Sequence, residues 1–175
     1  MNNVILIGFM GVGKGRTARA LARATGRFAV DTDDLIESKS KLKIRKIFSG
    51  QGEPAFRRLE QEVALWLEHR LSGTIVSTGG GFFQVDNIQR LGTVIYLHAG
   101  VEAIIQAIKE HPKGAAKIKK RPLLQDLDAA RKLFAQRLSS YRAAADYEVE
   151  VEGQTREQVV AAIRSLPIFK GEDNG

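Results

Sequence analysis

Short apolar runs alternate along the chain with longer stretches whose apolar residues recur every three or four positions. "VILIG" at 4–8 is a continuous apolar run, the pattern of a central parallel strand buried on both faces. After a glycine-rich loop, "RTARALARATG" predicts a helix, with Ala18, Leu21, Ala22 and Thr25 at helical spacing and Gly26 as its stop. "RFAVDTD" (27–33) predicts a second strand ending in acids. Polar helical stretches then run to "FSGQGEPAFRRLEQEVALWLEHRL", where Phe56, Leu59, Val63, Trp66 and Leu67 form an apolar stripe. "GTIVSTGGG" predicts a third strand running into glycines, and "TVIYLHA" (93–99) a fourth. A helix over "VEAIIQAIKE" and another over "DLDAARKLFAQRLSSYRAAA" follow, then a strand at "YEVEVEG" and a last helix at about 155–165. Strands alternating with helices mean an α/β domain with a mostly parallel sheet. Between the two later helices, "HPKGAAKIKKRP" (111–122) loses periodicity and gathers five cations from Lys113 to Arg121, reading as a mobile excursion. The chain end, from about 167 to 175, reads as a frayed tail.

Composition narrows the class without naming a function. A chain of 175 residues fits one compact domain, and 43% hydrophobic with 27% charged residues is ordinary for a globular protein. No apolar run approaches the roughly 18–20 residues of a transmembrane helix. "MNNVILIGF" lacks the basic region and cleavage site of a signal peptide. The absence of cysteine excludes a disulfide framework, a zinc knuckle and a thiol nucleophile, and fits a cytoplasmic protein. A formal charge of +7 favours anionic ligands. His69, His98 and His111 lack metal-ligand spacing and read as surface or packing residues.

Candidate chemistry starts at "GFMGVGKGRT" (8–17). Gly8, four residues, then Gly13 and Lys14 follow a buried strand and open a helix, the setting of a phosphate-binding loop. Glycines let consecutive N–H groups face one concavity, the helix N-terminus adds positive potential, and Lys14 reaches the terminal phosphates. Gly15 stands where a hydroxyl is expected, with Arg16 behind it. Thr17 projects from another face of the helix and does not replace that hydroxyl.

Asp31 and Asp33, two apart on an extended strand end, face the same side. One would help to hold Mg²⁺ through water and the other would address a substrate hydroxyl. Asp34 reads as a helix N-cap and solvated charge. Arg57 and Arg58 are about 100° apart on a helix, so they cannot point the same way; Arg57 with Glu60 is an i, i+3 pair. Gly79, Gly80 and Gly81 offer backbone amides for close approach to a ligand. The basic segment lacks interleaved aromatics and a recognition module, so it argues against nucleic acid and for a lid delivering Arg121 to a transferring phosphoryl group. Arg137 and Arg142 flank "LSSY".

Taken in order, "VILIGFMGVGK", "DTD", "IFSGQGEPAFRRLE", "VSTGGG", "KRPLL", "QRLSSY" and "ADYEVEVEG" resemble the shikimate kinase family along nearly the whole chain. The resemblance implies a single kinase domain over 1–175. Its fold would be a three-layer α/β sandwich of the P-loop NTPase type, with a five-stranded parallel sheet in order 2-3-1-4-5. It would carry substrate-binding helices at about 32–61 and a moving lid at about 111–124. It also implies ATP- and Mg²⁺-dependent phosphorylation of the shikimate 3-hydroxyl, in chorismate and aromatic amino-acid synthesis, by a monomer without nucleic-acid or membrane partners. By that resemblance Gly11, Val12, Gly13 and Lys14 bind nucleotide, and Asp31 lies near Mg²⁺; Gly15 and Arg16 continue the nucleotide-binding stretch, Arg16 either pairing with the α- or β-phosphate or pointing outward as a surface cation. Asp33 binds the substrate hydroxyls and is catalytic with Lys14 and Arg121, the last also a nucleotide contact. Arg57 and Arg137 clamp the substrate carboxylate, Gly79 to Gly81 line its pocket, and Glu60 holds Arg57. The chain departs from the family at Gly15 and Arg16, which replace a Ser/Thr-Thr pair, and in a longer segment before "RPLL". The alternatives are a gluconate-kinase-like small-molecule kinase and a non-catalytic nucleotide- or shikimate-binding protein.

Overall fold

The computed structural model describes residues 2–112, 118 and 122–170. Five strands form one sheet in the order β2-β3-β1-β4-β5: β1 Val4–Ile7, β2 Ala29–Asp31, β3 Ile75–Ser77, β4 Thr93–His98 and β5 Tyr147–Glu150. Every pairing is parallel, so the expected order and direction hold. The helices are α1 Lys14–Thr25, α2 Thr32–Ser40, α3 Ile44–Arg70, α4 Val101–Lys109, α5 Leu127–Ala144 and α6 Arg156–Arg164. Among the described residues no helix is long and apolar enough to cross a membrane.

β1 shows why its run is continuous. Val4 and Leu6 belong to one core, with Leu21 of α1 and Ile163 of α6. Ile5 and Ile7 belong to the other, with Ile36 of α2, Val63 and Leu67 of α3, and Ile104 of α4. Side chains alternate across a strand, so a strand covered on both faces needs apolar residues at every position. With all strands parallel, their C-terminal ends share one edge, where ligands bind in open α/β sheets.

Three expectations need correction. The second strand stops at Asp31, whose carboxylate accepts the Asp33 amide at 3.0 Å and caps α2. Asp33 is therefore helical, and Asp34 is an exposed first-turn residue rather than the cap. On α3, the buried face is Phe56, Glu60, Val63, Ala64 and Leu67, while Trp66 is 45% exposed. The buried arc of α3 is centred on Phe56, Glu60, Val63, Ala64 and Leu67, and Trp66, about 100° round from Leu67, falls outside it. Gly52, at φ 79° and ψ 173°, breaks α3 into two segments just before Pro54. The tail also stays packed further than expected: Pro167–Phe169 form a 3₁₀ turn and Phe169 is buried. The segment read as a lid lies mostly outside the described residues, although Pro122–Gln125 form a 3₁₀ turn and Leu124 is buried.

The opposite, N-terminal edge of the sheet is tied by one buried amide. Asn3 donates to the carbonyls of Leu71 (3.0 Å) and Leu91 (2.9 Å) and accepts from the Thr74 amide at 3.1 Å, joining the entries to β1, β3 and β4. Asn3→Ala leaves these groups buried and unpaired, and is expected to lower stability by about 3 kcal/mol in urea unfolding. Because this edge lies across the sheet from the candidate site, ligand affinity of the folded variant is expected to stay within about twofold of the original.

Candidate active site

A cavity of about 390 Å³ opens at the C-terminal edge of the strands. Its floor is the loop after β1. Gly13 caps α1 at φ 106°, a left-handed conformation that glycine adopts without steric cost, and no side chain caps this helix. α1, like α3, also lacks an acid in its first turn, whereas α2 carries two and α4, α5 and α6 carry one each. The unmatched amides and positive end of α1 are thus left for an external anion. Lys14 is buried, with Nζ donating to the carbonyls of Gly8 (2.6 Å) and Phe9 (3.1 Å). Gly11, Gly13, Gly15 and Arg16 join it on the cavity wall, and Thr17 is buried behind them. Burial first, then Arg156 and Arg19, hold the Arg16 guanidinium below its ordinary pKa.

Asp31 and Asp33 form the facing wall. Capping aims them together although only Asp31 is extended. Oδ2 of Asp31 accepts from the Ser77 hydroxyl at 2.8 Å, while Oδ1 of Asp33 is buried with no hydrogen-bond partner among the described residues. Oε1 of Glu60 is a second such orphan. Burial, then Asp31 and Glu60, push the Asp33 carboxyl up to about 7, with Lys14 opposing. Burial also raises Glu60, against the pull of Arg57 and Arg137.

The glycine strip after β3 brings the remaining residues in. A Cβ on Gly79 would lie 2.8 Å from Asp33 Oδ1 and 3.1 Å from Glu60 Oε1. On Gly80 it would lie 3.9 Å from Arg137 Nη1, and on Gly81 it would collide with the guanidinium of Arg57. Two acids and two arginines therefore approach the backbone where no side chain intervenes. Arg57 pairs with Glu60 and also with Glu53 at 2.6 Å, and Arg58 is exposed. Arg137 donates to the Gly80 carbonyl at 3.2 Å. Arg57 and Arg137 do not line the phosphate cavity itself; Arg137 stands against Gly80 and Arg57 against Gly81, further along the strip. Arg121 lies outside the described residues.

A family profile described as shikimate kinase matches residues 10–166. The chain belongs to the shikimate kinase family. A shikimate kinase of Helicobacter hepaticus is 35% identical over 157 residues, covering 90% of this chain and 91% of that protein. Among solved structures, a shikimate kinase from Acinetobacter baumannii in complex with shikimate superposes with a TM-score of 0.84. It is 31% identical and covers 98% of this chain and 95% of its own. A gluconokinase from Sinorhizobium meliloti shares the fold alone, with a TM-score of 0.58, 14% identity and 97% of each chain covered.

Where a member of this family would hold Mg²⁺, a Cβ on Gly15 would lie 3.6 Å from both Asp31 Oδ2 and Ser77 Oγ. Among the described residues no group of three or more His, Cys, Asp or Glu could hold a metal. These donors fit an ion that arrives with phosphates and keeps its waters, reached by Asp31 through one of them. Sequence reasoning missed Ser77 and Tyr141. Tyr141 is fully buried and donates to the Gly80 carbonyl at 2.5 Å, stacked on Tyr96 with ring centroids 5.1 Å apart. Its position four residues after Arg137, on the same helical face, was the available signal.

The Asp33 carboxyl gives a stability test with a definite sign. Its folded-state value, about 7, exceeds the ordinary 3.8, so the folded protein holds this proton more tightly than the unfolded chain. Stability is therefore lost as pH rises from about 4 through about 7. Asp33→Asn removes the ionisable group, and is expected to raise stability at pH 8 by on the order of 2 kcal/mol. The gain should shrink to nothing near pH 4. Urea unfolding across that range measures it, and a pH-independent difference would refute the buried-charge account.

Proposed function

We propose that this protein transfers the γ-phosphoryl group of ATP to the 3-hydroxyl of shikimate, giving shikimate 3-phosphate and ADP, in chorismate and aromatic amino-acid synthesis. The observation that carries the proposal is the sequence of groups along one edge. A phosphate loop faces two acids, and a glycine strip leads from them to two arginines. An acceptor bearing ring hydroxyls at one end and a carboxylate at the other fits that order. Gluconate offers a carboxylate and hydroxyls, but on an open chain rather than a ring, and the gluconokinase is similar in fold alone.

In this reading the loop amides and Lys14 cradle the β- and γ-phosphates, and Arg16 lies against the same chain. Asp33 and Glu60 offer their unpaired oxygens to substrate hydroxyls. Hydroxyl donors would relieve the buried acceptors, and Asp33 would orient the attacking oxygen and take its proton. Arg57 and Arg137 hold the carboxylate in bidentate fashion, with Glu60 fixing Arg57. Arg121 stabilises charge on the transferred group. Mg²⁺, carried by the phosphates and by water on Asp31, would neutralise charge between them. Positioning and neutralisation are most of what phosphoryl transfer needs, so the arrangement suffices without a strong base. We take the enzyme to act as a cytoplasmic monomer.

ADP release with ATP, Mg²⁺ and shikimate tests the assignment. Turnover dependent on shikimate is expected; its absence from folded protein would overturn the proposal. Arg57→Ala and Arg137→Ala are each expected to raise the shikimate KM about tenfold or more, with kcat changed less. Asp33→Ala should lower kcat by about 100-fold or more. Gly15→Ser should raise the rate modestly at most, and turnover seen only in that variant would favour the non-catalytic binding protein.

A further inference from the structure

Gly15 leaves a corner of the phosphate cavity without a side chain, and three groups surround it. A Cβ placed there would meet Arg19 Nη1 at 3.5 Å, Asp31 Oδ2 at 3.6 Å and Ser77 Oγ at 3.6 Å. These are ordinary contacts, so glycine is not required here by crowding, nor by its backbone. What glycine does is leave the guanidinium of Arg19, one turn along α1, free to line the cavity. Asp31 does not neutralise it: among the described residues neither Arg16 nor Arg19 has an ion pair or hydrogen bond, and both line the cavity. Asp31 is occupied instead by the Asp33 amide and the Ser77 hydroxyl.

A corner built this way offers a divalent cation no direct protein ligand, leaving it to the phosphates and water, and suits a phosphate oxygen. The hydroxyl that would bind a cation directly is missing, and a guanidinium stands beside the place such an ion would take. Like charges close together in a half-enclosed site repel strongly, whereas a phosphate oxygen there would complete two unpaired arginines. We propose that Arg19 binds the phosphate chain of the nucleotide at the corner left by Gly15, so that nucleotide binding, as distinct from phosphoryl transfer, draws little on the hydrated Mg²⁺ that the phosphates and Asp31 would hold. The proposal rests on the nucleotide reading of the loop and adds to it a phosphate-binding residue and a weak dependence of nucleotide binding on Mg²⁺ that the reading does not require.

Calorimetric titration with ADP, in excess Mg²⁺ and in EDTA, tests both parts. Wild-type protein is expected to bind ADP in EDTA within about threefold of its affinity in Mg²⁺. Arg19→Ala should weaken binding in EDTA by about tenfold or more, the size of one charge-assisted hydrogen bond. Arg19→Lys, which keeps the charge but not the fork, should fall between. Arg23→Ala, one turn further from the loop, should change affinity less than about threefold, which separates contact from general charge. Gly15→Ser should bind ADP more tightly in Mg²⁺ than in EDTA by about tenfold. A wild-type loss above about tenfold in EDTA, or equal losses for Arg19→Ala and Arg23→Ala, would overturn the proposal. Failure to bind ADP in either buffer would instead sink the nucleotide reading, and the proposal with it. Thermal midpoints of the variants confirm that each is folded.

Discussion

The ammonium of Lys14 donates to the carbonyl oxygens of Gly8 and Phe9 at 2.6 and 3.1 Å while its side chain is almost wholly buried, and the rest of the site depends on that contact. A buried charge must be met by dipoles or opposite charge. Here two carbonyls turn inward to meet it, and the loop folds around the cation. That leaves the start of α1 open, because Gly13 in a left-handed conformation ends the loop without any side-chain cap. The result is a positive concavity made mostly of backbone. Its position is set by β1, which cannot shift without moving apolar side chains in both cores.

The opposite wall carries the complementary strain. Asp33 and Glu60 each hold a buried oxygen with no hydrogen-bond partner among the described residues, and burial raises both carboxyls. Such groups oppose folding unless a ligand satisfies them. They are tolerated because the stabilising contacts lie elsewhere: the two apolar cores, and the Asn3 amide that joins three strand entries at the far edge. The glycine strip mediates between strain and function. Its missing side chains let the acids and Arg57 stand against the backbone, while Tyr141 fixes the Gly80 carbonyl. Shape and charge in the acceptor region are thus set by α3, α5 and the strip together.

Most of the architecture was legible because it rests on local pattern. The doubly buried β1, the loop and helix after it, and the alternation of strands with helices all follow from spacing and glycine placement. Sheet order came through the resemblance, since no periodicity encodes which strands are neighbours. What escaped was set by tertiary context. Glu60 has the sequence of a solvated i, i+3 partner, yet it faces the core side of α3 in place of Trp66. Asp33 looked extended because a strand precedes it, yet the Asp31 cap begins a helix there. Ser77 and Arg19 are ordinary residues in the sequence, and only the fold brings both to Gly15. Arg121, read as the lid arginine, lies outside the described residues.

Membership of the shikimate kinase family and the loss of the loop hydroxyl are compatible because the parts of the site are separable. In the proposed reading, phosphate binding falls first to the loop amides and Lys14, which do not depend on the side chain at position 15. In the proposed reading, acceptor recognition falls to Asp33 on the cavity wall and to Glu60, Arg57 and Arg137 along the glycine strip. Only the corner beside Asp31 feels the difference between a hydroxyl and no side chain. A Cβ at that point meets its neighbours at 3.5 Å or more, so either residue fits without moving the backbone. The choice at position 15 therefore alters what meets the phosphates at one corner, the guanidinium of Arg19 standing where a loop hydroxyl would otherwise hold the cation directly. Both place positive charge against the same phosphates, which is the requirement the chemistry imposes.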